Sequence, residues 1–314
     1  MRVVIGIDPS HDSTSTTNLV HRLAFHEAEA TYASFATFPA VPAPGFAITA
    51  DELIEQLIDE RRGAAKAAMC SAADSLRGRV VGEEMVFEFG EPASELASLA
   101  EDMGADLIAI GSRGESPLKA AMHGSVGRGL VLHSKRSILI AKGEVSVKGP
   151  IKAVFAYDAS DCCERSIDQL IEMRPLGISH IDLVIADTPD PSSSPITALL
   201  GEDAWHAEPE KRADILWTYA CSAAERLTRA GYVTRPICAS GAIPVVIEGA
   251  YVDLHADLVI MGAKGHGFVH RVLFGSNALE QAVAENHSVL ILHPGEAKLS
   301  HALGVSHGAA KFSV

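Results

Sequence analysis

Short uninterrupted apolar runs punctuate the chain, each followed by a polar or glycine-bearing stretch and then by a segment with helical spacing. The first, Val3 to Ile7, is of the kind found in strands covered on both faces. Ser13 to Glu29 predicts a helix, although its Ser- and Thr-rich opening offers the backbone competing local bonds. Tyr32 to Phe38 predicts a second strand, ended by Pro39, Pro42 and Pro44. Between Ala50 and Leu76, the residues Leu53, Ile54, Leu57 and Ile58 trace a stripe of helical period, and the alanine-rich remainder has high helix propensity. A strand at Met85 to Phe89, a helix at Pro92 to Met103, a strand at Leu107 to Ile110, a helix beginning near Gly124 and a strand at Ile138 to Ala141 complete the unit.

The second half repeats that order. Strands are expected at Ala153 to Tyr157, Ile181 to Ile185, Thr234 to Cys238, Leu258 to Met261 and Val289 to Leu292, with a long helix from about Asp203 to Ala230. The words themselves recur. ADLIAIGSRG starts at Ala105 and ADLVIMGAKG at Ala256, an offset of 151 residues. The same offset relates Gly124-Ser125 to Gly275-Ser276 and Ser137 to Ser288, while Asp8 and Asp158, each closing a first strand, are 150 apart. A collinear series at nearly constant offset means a tandem duplication. Strand–helix alternation with short, non-alternating strands predicts α/β architecture: two doubly wound parallel-sheet domains in tandem. The expected division is 1–144 and 150–296, joined through a linker at Lys142 to Gly149, with 297–314 as a loose tail.

Composition narrows the class of partner. At 314 residues, two domains is the natural prior, and 47% apolar residues suffice for two cores. Twenty-six basic against forty acidic side chains give a net charge of −14, which argues against nucleic acid and against an anionic membrane surface as partners. Five cysteines without a C-x-x-C pair point away from a disulfide framework and toward a reducing, cytoplasmic setting. No apolar run approaches the roughly 18 residues of a membrane span. The opening MRVVIGID is too short for a signal-peptide core.

The chemistry concentrates in the duplicated word. Gly111-Ser-Arg-Gly114, nine residues and Gly124-Ser125 form one pattern; Gly262-Ala-Lys-Gly265, nine residues and Gly275-Ser276 form its copy. In an open parallel sheet, ligands bind at the carboxyl ends of the strands. Glycines there let a loop present bare N–H groups to phosphate oxygens, and a helix start adds unpaired N–H donors with the positive end of the dipole. Arg113 and Lys264 can add a cation. Asp8 and Asp158, on the same edge, can accept bonds from an amino group or a ribose hydroxyl. A plainer set of roles stands beside these: close strand–helix packing for the glycines, helix capping for the serines, turn formation for the aspartates.

With these residues in place, both halves resemble universal stress protein domains over nearly the whole chain, and the chain resembles the tandem type of that family. The resemblance implies a Rossmann-like, adenine nucleotide α-hydrolase-like fold. It also implies a site for ATP, or for AMP or ADP, with or without Mg²⁺. Asp8 would then sit by the adenosine, Ile110 and Gly111 would line the nucleotide, and Arg113, Gly114, Gly124, Ser125 and Val126 would surround ribose and phosphates. The matching positions are Asp158, Met261, Gly262, Lys264, Gly265, Gly275, Ser276 and Asn277, with Asn277 departing from Val126. A backbone contact to adenine is expected near Phe35 and near Ile185. Tandem members are commonly built like the family's dimers, which puts Ile138 to Ala141 beside Val289 to Leu292. The chain is then an internal pseudo-dimer, with pairing of two chains as a further option.

No G-x-x-x-x-G-K-[S/T] loop, no G-x-S-x-G elbow and no H-E-x-x-H is present, so catalytic residues and metal ligands are both expected to be none. His266 and His270, spaced i, i+4, read as loop residues, Cys162 and Cys163 as structural thiols, and Glu83 with Glu84 as solvated surface. The leading expectation is a nucleotide-binding stress-response regulator. A nucleotide-free interaction scaffold and a slow ATPase or phosphoryl-transfer enzyme are the alternatives.

Overall fold

Each apolar run becomes a strand. The computed structural model describes residues 1–10, 13–38, 50–111, 125–188, 194–201, 206, 208–263 and 287–294. In the first half these form β1 (Arg2–Gly6), α1 (Thr14–Leu23), β2 (Ala28–Ala36), α2 (Ala50–Ser75), β3 (Val80–Phe89), α3 (Pro92–Asp102), β4 (Leu107–Gly111), α4 (Ser125–His133) and β5 (Ser137–Ala141). The second half supplies β6 (Ile151–Ala156), α5 (Asp161–Met173), β7 (Ile178–Asp187), α6 (Pro195–Leu200), α7 (Pro209–Arg229), β8 (Val233–Ser240), α8 (Ile243–Leu254), β9 (Leu258–Gly262) and β10 (Ser288–Leu292). The expected tail, 297–314, lies outside the described residues.

Several boundaries differ from expectation. Helix α1 stops at Leu23, because Ala24 turns left-handed at φ 49°, and β2 begins at Ala28 instead of Tyr32. Strand β3 begins at Val80, well before Met85. As a sheet edge it leaves Glu83 and Glu84 in solvent, so no apolar run marks it. The long helix expected from about Asp203 begins at Pro209 as α7, and a separate short helix, α6, precedes it; each is opened by a proline at its first turn, where no N–H is needed.

All ten strands lie in one sheet, ordered β3-β2-β1-β4-β5-β10-β9-β6-β7-β8. Every neighbouring pair is parallel except β5 with β10. Successive side chains of a strand enter opposite layers. Val3 and Ile5 join the layer under α1, α2, α5 and α7, with Leu19, Leu23, Met69, Ile167 and Leu216. Val4 joins the layer under α3, α4 and α8, with Leu96, Leu130 and Ile247. The inner strands are buried on both faces, as their unbroken apolar sequences require.

The halves meet about an approximate two-fold axis. Val289, Leu290 and Ile291 lie opposite Ile140, Leu139 and Ile138, the pairing of last strands that the resemblance implied. The Lys142 N–H donates to the Ser288 hydroxyl oxygen (3.0 Å), and the His293 N–H donates to that of Ser137 (3.2 Å); both pairs repeat at the 151-residue offset. On one flank the seam departs from symmetry. Helix α1 presents Ser15, Asn18 and Arg22 to the connecting segment, where their side chains donate to the carbonyls of Gly143, Val145 and Gly149. Arg22 also reaches the Pro150 carbonyl (3.0 Å) and the Asp257 carboxylate (2.9 Å), and the Gly177 N–H donates to the Leu23 carbonyl at 3.0 Å.

Candidate functional site

The word ADL, repeated before β4 and β9, has a structural task. The Asp106 carboxylate accepts the Arg2 N–H (2.8 Å) and that of Asp257 accepts the Lys152 N–H (3.0 Å). Each aspartate thereby fixes the amino end of the first strand of its half against the strand beside it. At the opposite, carboxyl ends the chain reverses its order of winding. From β1 it runs outward through β2 and β3, then returns to β4 on β1's other side. The crevice between β1 and β4, like that between β6 and β9, is the switch point where ligands of doubly wound sheets bind.

Asp8 and Asp158 stand there. Asp8 is exposed, and its Oδ1 accepts the N–H (3.0 Å) and the hydroxyl (2.6 Å) of Ser10. Asp158 is half-buried, and its Oδ1 accepts the Ser160 N–H at 3.0 Å. Ser160 in turn caps α5 by accepting the Cys163 N–H at 3.1 Å. Both carboxylates therefore make the turn after the strand, at the crevice edge.

The first glycine of each pattern has a packing reason. A Cβ on Gly111 would stand 3.0 Å from the Thr16 hydroxyl, and one on Gly262 2.9 Å from the Ser166 hydroxyl. Helices α1 and α5 thus approach the ends of β4 and β9 at equivalent places. Ile110 and Met261 are buried, their side chains in the apolar layer, so the main chain is what they offer a ligand. Val126 packs against the same layer, and Ser125 opens α4, where first-turn N–H groups have no intrahelical acceptor. Arg113, Gly114, Gly124, Lys264, Gly265, Gly275, Ser276 and Asn277 lie outside the described residues, as do His266 and His270.

The second strands of the two halves end alike. The Gly90 N–H donates to the Ala36 carbonyl (3.0 Å) and the Gly241 N–H to that of Asp187 (3.1 Å). Ala36 and Asp187 are therefore equivalent, and the counterpart of Phe35 is Ala186, next to Ile185. The same ends carry residues that motif reading passed over. Arg61 of α2 donates to the Thr37 carbonyl; Arg212 of α7 forks onto Asp187, Nε at 3.2 Å and Nη2 at 3.1 Å. A signal was available, since Arg61 and Arg212 are themselves 151 apart.

Two of the thiols, Cys163 and Cys238, suit structural roles. Burial, then the charge of Asp158, pushes the Cys163 thiol well up, and burial with Asp187 raises Cys238, both away from the nucleophilic thiolate. Among the described residues no three His, Cys, Asp or Glu side chains gather as a metal set, and no helix is long and apolar enough to cross a membrane.

A sequence model of the universal stress protein family matches residues 1–142 and again 152–293. The chain belongs to the universal stress protein family. Universal stress protein YxiE of Bacillus subtilis is 35% identical over 92 residues, covering 28% of this chain and 62% of that one. The match thus spans less than two thirds of that relative. Among solved structures, a universal stress protein from Archaeoglobus fulgidus superposes with TM-score 0.62 at 18% identity, over 94% of this chain and 98% of the other, a likeness of fold. Another universal stress protein, solved in complex with cAMP, aligns at 25% identity and TM-score 0.35 over 46% of this chain and 98% of its own.

Proposed function

We propose that this universal stress protein is an adenine-nucleotide-binding regulator of a stress response, with one candidate site for ATP, AMP or ADP at the switch point of each half. The observation that carries the reading is a coincidence of position. In both halves the glycine pattern starts at the end of the strand that flanks the crevice, and the aspartate ends the strand on its other side. Phosphates would meet the glycine-loop amides and the start of α4, and the ribose or base the Asp8 or Asp158 carboxylate. Binding then acts by shifting populations of the chain and its partner-facing surface. Calorimetry of the intact chain with Mg-ATP is the test: saturable heat is expected, reduced in Gly124→Val, and absence of heat and of competition at millimolar nucleotide removes the reading.

The close contacts of Gly111 with Thr16 and of Gly262 with Ser166 favour a second reading, an interaction scaffold whose glycines serve packing alone. A melting temperature unmoved by saturating ATP supports the scaffold over the receptor.

A further inference from the structure

The sheet ends in two edges, and they are guarded differently. β8 carries Pro236 in its interior, a residue that sheets tolerate at edges because it has no N–H to offer the ladder. Beside it, Arg235 is exposed and forks onto the buried Asp182 carboxylate. A proline and a charge together blunt an edge against further pairing. β3, at the other end, has no proline from Val80 to Phe89, and no described strand lies beyond it. After the irregularity near Ala28 its register with β2 runs unbroken from Gly82 to Phe89. Such a stretch leaves a regular row of N–H and C=O groups turned outward.

The side chains of this edge sort by face. Glu84, Val86 and Glu88 lie on the α3 side, where Val86 packs against the layer of Leu96. Glu83, Met85, Phe87 and Phe89 lie on the α2 side, where Phe87 packs against the layer of Met69. Phe87 and Phe89 meet edge to face with centroids 5.3 Å apart, and Met85 is 40% exposed. Glu83, Glu84 and Glu88 are all exposed. Across the ladder they face Ala30, Thr31 and Phe35, none of which can offset their charge. Glu84 and Glu88 stand about 13 Å apart along the strand. Their complement is an extended segment with basic residues at positions i and i+4. Apolar residues at i+1 and i+3 would then lie beside Met85 and Phe87.

We propose that β3 is the docking edge for an extended, basic segment of a partner protein, which joins the sheet as one more strand. Main-chain bonds supply affinity, and the alternation of charged and apolar positions supplies specificity. The same carboxylates turn away a second copy of the chain. Two copies paired antiparallel about Val86 would set Glu84 against Glu88 on both sides of the axis, and like charges directly opposite repel. The β8 edge of another copy would bring Pro236 to the ladder. β2 separates the docking edge from the β1–β4 crevice, so docking requires no nucleotide there.

The probe is a fluorescein-labelled heptapeptide, TKVTVKT, with lysines four places apart and valines on the opposite face, titrated with the full chain by anisotropy. Saturable binding is expected, weakened by salt and absent for the acidic peptide TEVTVET. The double variant Glu84→Lys, Glu88→Lys is expected to bind the lysine peptide about tenfold more weakly. Alternate N–H groups of an added strand face its neighbour. N-methylation at one of two adjacent central residues should therefore abolish binding, and at the other should leave it intact. Both methylated peptides act on the parent chain and decide the matter should the double variant not fold. No saturation at millimolar peptide, equal effects of the two methylations, or undiminished affinity in the double variant overturns the assignment. So does a dimer of the chain in sedimentation that Met85→Lys dissolves, since a second copy would then hold the edge.

Discussion

Gly177 and Arg22 leave no room between them: a Cβ at position 177 would stand 1.5 Å from the Arg22 carbonyl oxygen. The glycine opens β7 in the second half and the carbonyl belongs to α1 in the first, so backbone meets backbone across the seam. Gly177→Ala must push the halves apart there. A loss of about 2–3 kcal/mol is expected, as for overpacking of a tight core, read from the denaturant midpoint. A change below about 0.5 kcal/mol would show that the seam yields freely.

The Arg22 side chain is 5% exposed and bridges α1, the connecting segment and Asp257. Arg22→Ala leaves two linker carbonyls and a half-buried carboxylate without their guanidinium. About 2–4 kcal/mol is expected, below the ~3–5 kcal/mol for a fully buried pair because Asp257 keeps contact with water, together with faster proteolysis between Lys142 and Gly149. The double variant with Gly177→Ala should lose less than the two single losses added together, since both act on one contact. Full additivity would separate the two features.

Gly262→Ala should cost about 1–2 kcal/mol through its approach to the Ser166 hydroxyl. Ser166→Ala should restore most of that, because the serine Cβ is 3.7 Å from the new methyl, an ordinary contact. Failure of the rescue would place the cost in the backbone instead of the hydroxyl. Measured in parallel, nucleotide affinity separates packing from binding at this glycine.

Alkaline pH should destabilise the fold through its buried tyrosines. Burial raises the phenols of Tyr232 and Tyr251 to about 12, with Asp257 and Glu248 adding to Tyr251. Burial also drives Tyr32 and Tyr157 upward, helped by Glu83 for the first and by the Glu164 hydrogen bond for the second. In the unfolded chain tyrosine ionises near 10. Above that value the unfolded state holds fewer protons than the folded one, so stability present in full below about pH 10 declines toward pH 12. Denaturant midpoints from pH 9 to 12, with phenolate absorbance, check this; a single phenolate step near pH 10 in the folded protein would contradict it.

Much of this architecture was legible because its strands are buried on both faces, so that Val3–Ile5 and Leu107–Ile110 stand out as bare apolar runs. Edges were harder. β3 borrows its regularity from pairing with β2, around an irregularity at Ala28 and Glu29, and its own sequence is polar. The end of α1 was hidden because Ala24 adopts a left-handed turn without the glycine that usually marks one. At the site, the repeat located the glycines and aspartates, and it carried Arg61 and Arg212 as well. That one of these meets a carbonyl and the other a carboxylate depends on the single difference between Ala36 and Asp187. The Arg22–Asp257 bridge joins residues far apart in the chain, with no periodicity to announce it.

The hydroxyl–amide pairs Ser137–His293 and Ser288–Lys142 make the junction of last strands look like the meeting of two identical subunits. Here both sides are one covalent thread, so their encounter is a unimolecular event. Dilution leaves such a join intact, and the two sides are free to diverge while always keeping the same companion.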